Sequence, residues 1–165
     1  METIRRQRQF EEIKNQAEAV KRAKAIWDAA IPAPETHPYL KMKGVQAHGL
    51  RLNTDNRLII PALLDGGLSS LQFINANGAK QFLPGGAVKG GSFTIGALID
   101  ADILLLCEGF ATGASLHEAA GRPVVVAFNA VHAPRSTRNQ RGHQRGTSAW
   151  SLGRPLRRER KTDRD

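Results

Sequence analysis

A chain of 165 residues and 18.0 kDa fits one modest domain, and 41% hydrophobic content is enough for a core, which excludes wholesale disorder. The longest unbroken apolar runs, Leu58 to Leu64 and Ile103 to Cys107, fall far short of the roughly 18 residues of a membrane span. The charged opening METIRRQRQFEEIKNQ is no secretory signal, and the lone Cys107 excludes an internal disulfide or a multi-cysteine zinc site. The expectation is a soluble, cytoplasmic protein.

The net charge of +9 is unevenly placed. Residues 1–131 carry 14 basic and 12 acidic side chains, whereas residues 132–165 carry 10 basic and 3 acidic. That last stretch is rich in Arg, Gly, Ser and Pro and has almost no apolar period, so its composition reads as an unfolded basic tail.

Four segments follow in chain order. Residues 1–48 form an N-terminal helical segment. Phe10, Ile13, Ala17, Val20, Trp27 and Ile31 recur mostly at three, four or seven residues, and the stripe predicts a helix packed on a core through that face. Pro32 and Pro34 stop it, and a short turn or helix from Tyr39 to Lys43 ends at Gly44. Residues 49–94 read as an antiparallel lead-in subdomain. Its strands are Arg57 to Leu64, Leu68 to Ile74 and Ala79 to Leu83, with turns at Asp65-Gly66-Gly67 and Asn75 to Gly78.

Residues 95–130 look α/β. Ile103 to Cys107 is short and wholly apolar, as a buried parallel strand is. Ala111 to Ala120 is helix-forming, Gly121 suits a C-cap, and Val124 to Phe128 is a second buried strand. One parallel β-α-β unit results, and residues 131–165 do not continue the alternation. The fold class is α/β with an α+β lead-in.

Glu108 ends the first parallel strand, with Gly109 after it to turn the backbone. Carboxyl ends of strands in open α/β sheets are where sites form. The plain alternative is a solvated loop acid.

The stretch CEGFATGASLHEA followed by PVVVAFNA resembles the first half of a Toprim domain. More narrowly it is similar to Toprim-domain DNA primases of conjugative plasmids and phages. The upstream segments HPYLKMKGV, RLIIPALLDGGLSSLQFI and GAKQFLPGGAVKGGSF resemble the lead-in region of the same proteins, so the likeness covers roughly residues 20 to 130. It implies Mg²⁺-dependent nucleotidyl transfer for primer synthesis on single-stranded DNA, with nucleotides as substrates and a helicase as a candidate partner. Of the family's site only the glutamate carries over, onto Glu108 as acid–base or metal-organising group, with Gly109 as its turn partner.

The chain departs from that pattern where an Asp-x-Asp pair should follow. Asp163-Arg164-Asp165 has no apolar strand before it. Asp100-Ala101-Asp102 precedes the strand that Glu108 follows, and a five-residue strand spans about 17 Å, too far for a shared ion. The metal site is therefore read as incomplete and the chain as inactive in primer synthesis on its own. The resemblance thus implies a primase or a piece of one. The alternatives are a non-catalytic nucleic-acid-binding protein on a Toprim-like scaffold with a basic tail, and a partner-binding subunit acting through the first helix. A tail of this composition is what out-of-frame GC-rich DNA yields, so the coding sequence beyond codon 130 separates the first two.

Lys80 and Lys89 flank the glycine-rich stretch Pro84 to Gly91, which lacks Walker spacing. They read as candidate contacts to nucleic-acid or nucleotide phosphates, weighed against a plain strand-end turn. The remaining candidates are weaker. His37 reads as solvated or capping a turn, His117 as packed or solvated, Ser115 has no base partner, and Cys107 reads as an inert strand cysteine.

Overall fold

The computed structural model describes residues 2–128; the basic segment read above lies outside them. Helix α1 spans Glu2–Ala29, strand β1 Ile31–Pro32 and helix α2 Pro38–Lys43. Strands β2 Arg51–Leu52, β3 Leu58–Leu64, β4 Gly67–Ile74, β5 Lys80–Phe82 and β6 Ser92–Ile95 follow. The described residues end with β7 Leu105–Cys107, α3 Phe110–Ala120 and β8 Val124–Ala127. The α/β class holds, as does the plan of helix, antiparallel meander and parallel β-α-β unit.

β3, β4 and β5 pair antiparallel in succession. Their first hairpin closes through Asp65 and Gly66, both at positive φ (50° and 79°), which is the type I′ geometry that Asp-Gly favours. β7 and β8 pair parallel, Leu105 opposite Val124 and Cys107 opposite Val126. α3 ends at Gly121 in the left-handed region, whose N–H donates to the His117 carbonyl at 2.8 Å.

The sequence reading did not contain the short strands β1 and β2 or strand β6, and β6 joins the two halves. It pairs antiparallel with β8 along its length and touches β3 at Leu63–Ser92. One sheet of order β1-β2-β3-β6-β8-β7 results, with β4 and β5 on the other side of β3. One core lies between this sheet and α3, around Leu58, Ile60, Ile74, Ile95, Phe110 and Val126. A second lies on the opposite face, where Ala23, Ile26 and Trp27 of α1 meet Ile59, Leu71 and Phe73.

Two expectations are overturned. The α1 stripe is not the packed face: Phe10 is 70% exposed and Ile13 65%, and Val20 and Ile31 are also exposed. The helix docks instead through Ala19 and Ala23, whose small side chains let its backbone approach β4, with only Trp27 of the stripe half-buried. Nor is Ile103 to Cys107 a fully buried strand. β7 begins at Leu105 and among the described residues is an edge strand paired only to β8, leaving Ile103, Leu104 and Leu106 about half exposed.

Candidate functional site

Glu108 leaves the carboxyl end of β7, exposed, and Gly109 serves as the N-cap of α3. The sequence reading gave Gly109 the role of letting the backbone turn sharply after Glu108. The structure places it at φ −138°, ψ 142°, extended backbone open to any residue, and its lack of a side chain leaves the first-turn amides of α3 without a side-chain cap. Those amides and the helix dipole make the spot favourable for an anion.

Lys80 reaches the same spot from β5. A methyl group built on Gly109 would stand 3.7 Å from the Lys80 Nζ. The sheet curls to allow this, and Phe82, two residues on, packs edge-on against Phe128 at 5.5 Å between ring centroids. Neither Lys80 nor Glu108 has a hydrogen-bond or ion-pair partner among the described residues, so both charges are available to a ligand.

Lys89 sits exposed on the loop from β5 to β6, where the Phe128 N–H donates to the Gly91 carbonyl at 2.9 Å. The loop thus meets the chain just beyond the carboxyl end of β8, at the end of the parallel pair that Glu108 also leaves, and among the described residues no hydrogen bond or ion pair joins Lys89 to Lys80 or Glu108.

The acids near β7 do not assemble around Glu108. Asp100 and Asp102 precede the strand, and Asp102 is engaged by the Arg122 guanidinium. Among the described residues no group of three or more His, Cys, Asp or Glu side chains is placed to hold a metal ion. Asp163 and Asp165 lie outside the described residues.

The weaker candidates resolve into structural roles. His37 is buried; its Nδ1 accepts from the Tyr39 N–H at 3.3 Å, capping α2, so its Nε2 donates to the Asn56 carbonyl at 3.2 Å. His117 is half-buried and its Nδ1 bonds the Arg122 carbonyl at 2.7 Å. Cys107 is half-buried, its Sγ donating to the Gly109 carbonyl at 3.4 Å, and burial pushes its thiol pKa up, away from reactivity. Ser115 is exposed on α3.

One cluster was not anticipated. The Glu118 carboxylate accepts from the Gln46 N–H at 2.8 Å and from His48 Nε2 at 2.6 Å, tying the loop after α2 to α3. His48 meets His117 edge-on at 5.2 Å. The only signal in the sequence is a loop histidine and a helix glutamate far apart along the chain. The pair holds α3 in place from the end opposite Glu108.

Among the curated relatives that the chain matches are two named DNA primase TraC, both from Escherichia coli. One is 35% identical over 105 residues, covering 60% of this chain and 10% of the relative. The other is 32% identical over 129 residues, covering 74% of this chain and 9% of the relative. The chain thus spans about a tenth of the length of these relatives. No family model matches it, and no solved structure matches it. By sequence the chain is related to DNA primases. Among the described residues no helix is long and apolar enough to cross a membrane.

Proposed function

We propose that the chain carries the lead-in region and the first half of a Toprim-type primase centre, binding single-stranded DNA and nucleotide phosphates without completing a catalytic metal site. The observation that supports this is the meeting of the Lys80 ammonium with the uncapped start of α3 directly after Glu108. An ammonium, free helix amides and one carboxylate at a strand end suit a phosphate approached from the carboxyl side of the sheet.

The magnesium that the primase resemblance implies needs more than this set. Mg²⁺ takes carboxylate, water and phosphate oxygens in near-octahedral geometry, and two-ion sites are clamped by several carboxylates. Glu108 supplies one, and Asp102 is turned to Arg122 at the other end of β7. The donor set does not fit a resident ion pair, so no nucleotidyl-transfer step is assigned to these residues alone. The same lone carboxylate favours, as a second reading, a nucleic-acid-binding protein that uses the scaffold without catalysis.

The test is primer synthesis on single-stranded DNA with Mg²⁺ and nucleotides. No primers are expected from the purified chain. Robust synthesis abolished by Glu108→Gln would overturn the incomplete-site reading, and undetectable DNA binding would overturn both readings.

A further inference from the structure

The segment HPYLKMKGV forms α2 and both its ends, and most of it serves to place that helix. His37 caps the first turn, Pro38 opens it, and Tyr39, Leu40 and Val45 are buried in the core. Gly44 stops the helix in the left-handed region at φ 65°. Lys41, Met42 and Lys43 have no such part. All three are exposed, Met42 at 57%, and neither lysine has a hydrogen-bond or ion-pair partner among the described residues. Nor are they needed to cap the helix, since the Gly44 and Val45 N–H groups already bond the Lys41 and Leu40 carbonyls, each at 3.2 Å.

α2 lies against the turn between β4 and β5. A Cβ on Gly78 would stand 3.4 Å from the Tyr39 ring and 3.6 Å from Met42 Cε. Lys43 is one helical turn on from Tyr39 and shares that side of α2. Lys80 opens β5 two residues after Gly78 and reaches the start of α3. This region is poor in negative charge: residues 36–54 and 66–99 contain no Asp or Glu. The carboxylates on the elements that border α2 are committed. Glu35 accepts from the Ala47 N–H at 3.0 Å, Asp55 pairs with the Arg57 guanidinium at 3.0 Å, and Glu118 holds the Gln46 N–H and His48. Residues 132–165, with 10 basic and 3 acidic side chains, bring no excess of carboxylates to offset the lysines.

We propose that α2 is a second contact surface for single-stranded nucleic acid, in which Lys41 and Lys43 hold backbone phosphates of a strand that passes from the Lys80 spot over the β4–β5 turn. The assignment rests on the nucleic-acid reading above and extends it to residues outside the strand-end site. Two unpaired ammoniums beside a third, in a region without free carboxylates, suit a chain of phosphates rather than one isolated anion. Met42 selects a single strand. Its flexible thioether, exposed between the two ammoniums, can pack on the face of an unstacked base, and a duplex keeps those faces stacked.

The test is fluorescence anisotropy of the full chain on one labelled single-stranded oligonucleotide at several salt concentrations. Lys41→Ala and Lys43→Ala should each lower affinity a few-fold and reduce the salt slope by about 0.7, and Lys43→Ala joined to Lys80→Ala should reduce it by about 1.4. Met42→Ala should weaken single-strand binding at an unchanged slope and leave duplex binding as it is. Arg5→Ala removes an exposed cation from the start of α1 and should change neither quantity. The substituted positions are all exposed, so circular dichroism should show the same fold in each variant. Losses matched by Arg5→Ala would make binding a matter of net charge, and equal losses on single strand and duplex with Met42→Ala would remove the single-strand contact; either overturns the proposal. Silent α2 lysines beside an effective Lys80→Ala overturn it while sparing the strand-end reading. A silent Lys80→Ala beside effective α2 lysines overturns the strand-end reading and leaves the α2 surface standing.

Discussion

The Lys80 Nζ stands 3.7 Å from the place a Cβ would take on Gly109, although β5 and β7 are at opposite margins of the sheet. The approach depends on curvature. Phe82 on β5 leans edge-on against Phe128 just beyond β8, and that contact carries the start of β5 over the carboxyl end of the parallel pair. A cation so placed, with no carboxylate holding it among the described residues, is the contact to phosphate proposed above. Lys80→Ala should therefore lower affinity for single-stranded DNA a few-fold and reduce the salt slope by about 0.7, the contribution of one neutralised phosphate. Fluorescence anisotropy at several salt concentrations measures both, and an unchanged slope would remove Lys80 from the interface.

Two glycines of the same segment should respond oppositely to substitution. Gly113 faces the sheet from the second turn of α3, and a methyl there would stand 2.8 Å from Val126 Cγ2 and 3.0 Å from Cys107 Sγ. Gly113→Ala must push α3 off the β7–β8 pair, costing about 1–3 kcal/mol by overpacking despite the better helix propensity of alanine. Gly109 is extended, and its Cβ position meets only the end of the flexible Lys80 side chain. Gly109→Ser should leave stability within a few tenths of a kcal/mol, since serine and glycine differ little at an N-cap. Urea denaturation separates the two; equal losses would mean that Gly109 is held by something other than conformation or space.

What was legible in the sequence follows from how local each cause is. The β3–β4 hairpin could be read because Asp65 and Gly66 themselves adopt the positive φ the turn requires. The β7-α3-β8 unit could be read because apolar runs, a helix former and Gly121 follow in order. β6 could not, since Ser92–Ile95 is four residues beside a glycine-rich stretch and its partner β8 comes much later in the chain. The α1 stripe misled for a physical reason. Close approach to β4 selects small residues, so Ala19 and Ala23 dock while Phe10, half a turn round the helix from Ala19, is left exposed. At the site, Glu108 could be placed from strand-end logic, but its meeting with Lys80 depends on sheet curl, which no short motif encodes. The His48–Glu118 bond is of the same kind, a contact between distant elements.

That bond sets a pH dependence. Burial pushes the Glu118 pKa up. The Gln46 N–H, the His48 hydrogen bond and the charges of His48 and His117 together outweigh it, so the carboxyl titrates below the ordinary glutamate range. A carboxylate with a depressed folded-state pKa adds stability above the unfolded value, about 4.3 for glutamate, and that stability is lost as pH falls through the folded-state value. Glu118→Gln should thus lower the melting temperature near neutral pH, and the gap from wild type should close as pH falls below about 4. Thermal melts across that range give the result. A gap that stays constant with pH would show the pair to act through packing rather than charge.

The basic C-terminal segment lies beyond the described residues, and its charge alone supports a prediction. Residues 132–165 hold +7 of the total +9, so DNA binding by the full chain should be mostly electrostatic and indifferent to sequence. Each neutralised phosphate on a single strand contributes about −0.7 to the slope of log affinity against log salt, and several arginines acting together should make affinity fall steeply toward physiological salt. Ending the chain at Ala130 should remove most of the binding and flatten that dependence, leaving the weaker contribution of Lys80, the start of α3 and Lys89. Salt titrations of both chains on one labelled oligonucleotide decide the matter. Equal affinity and slope in the two would show the arginines idle and assign the whole contact to the Glu108 end of the sheet.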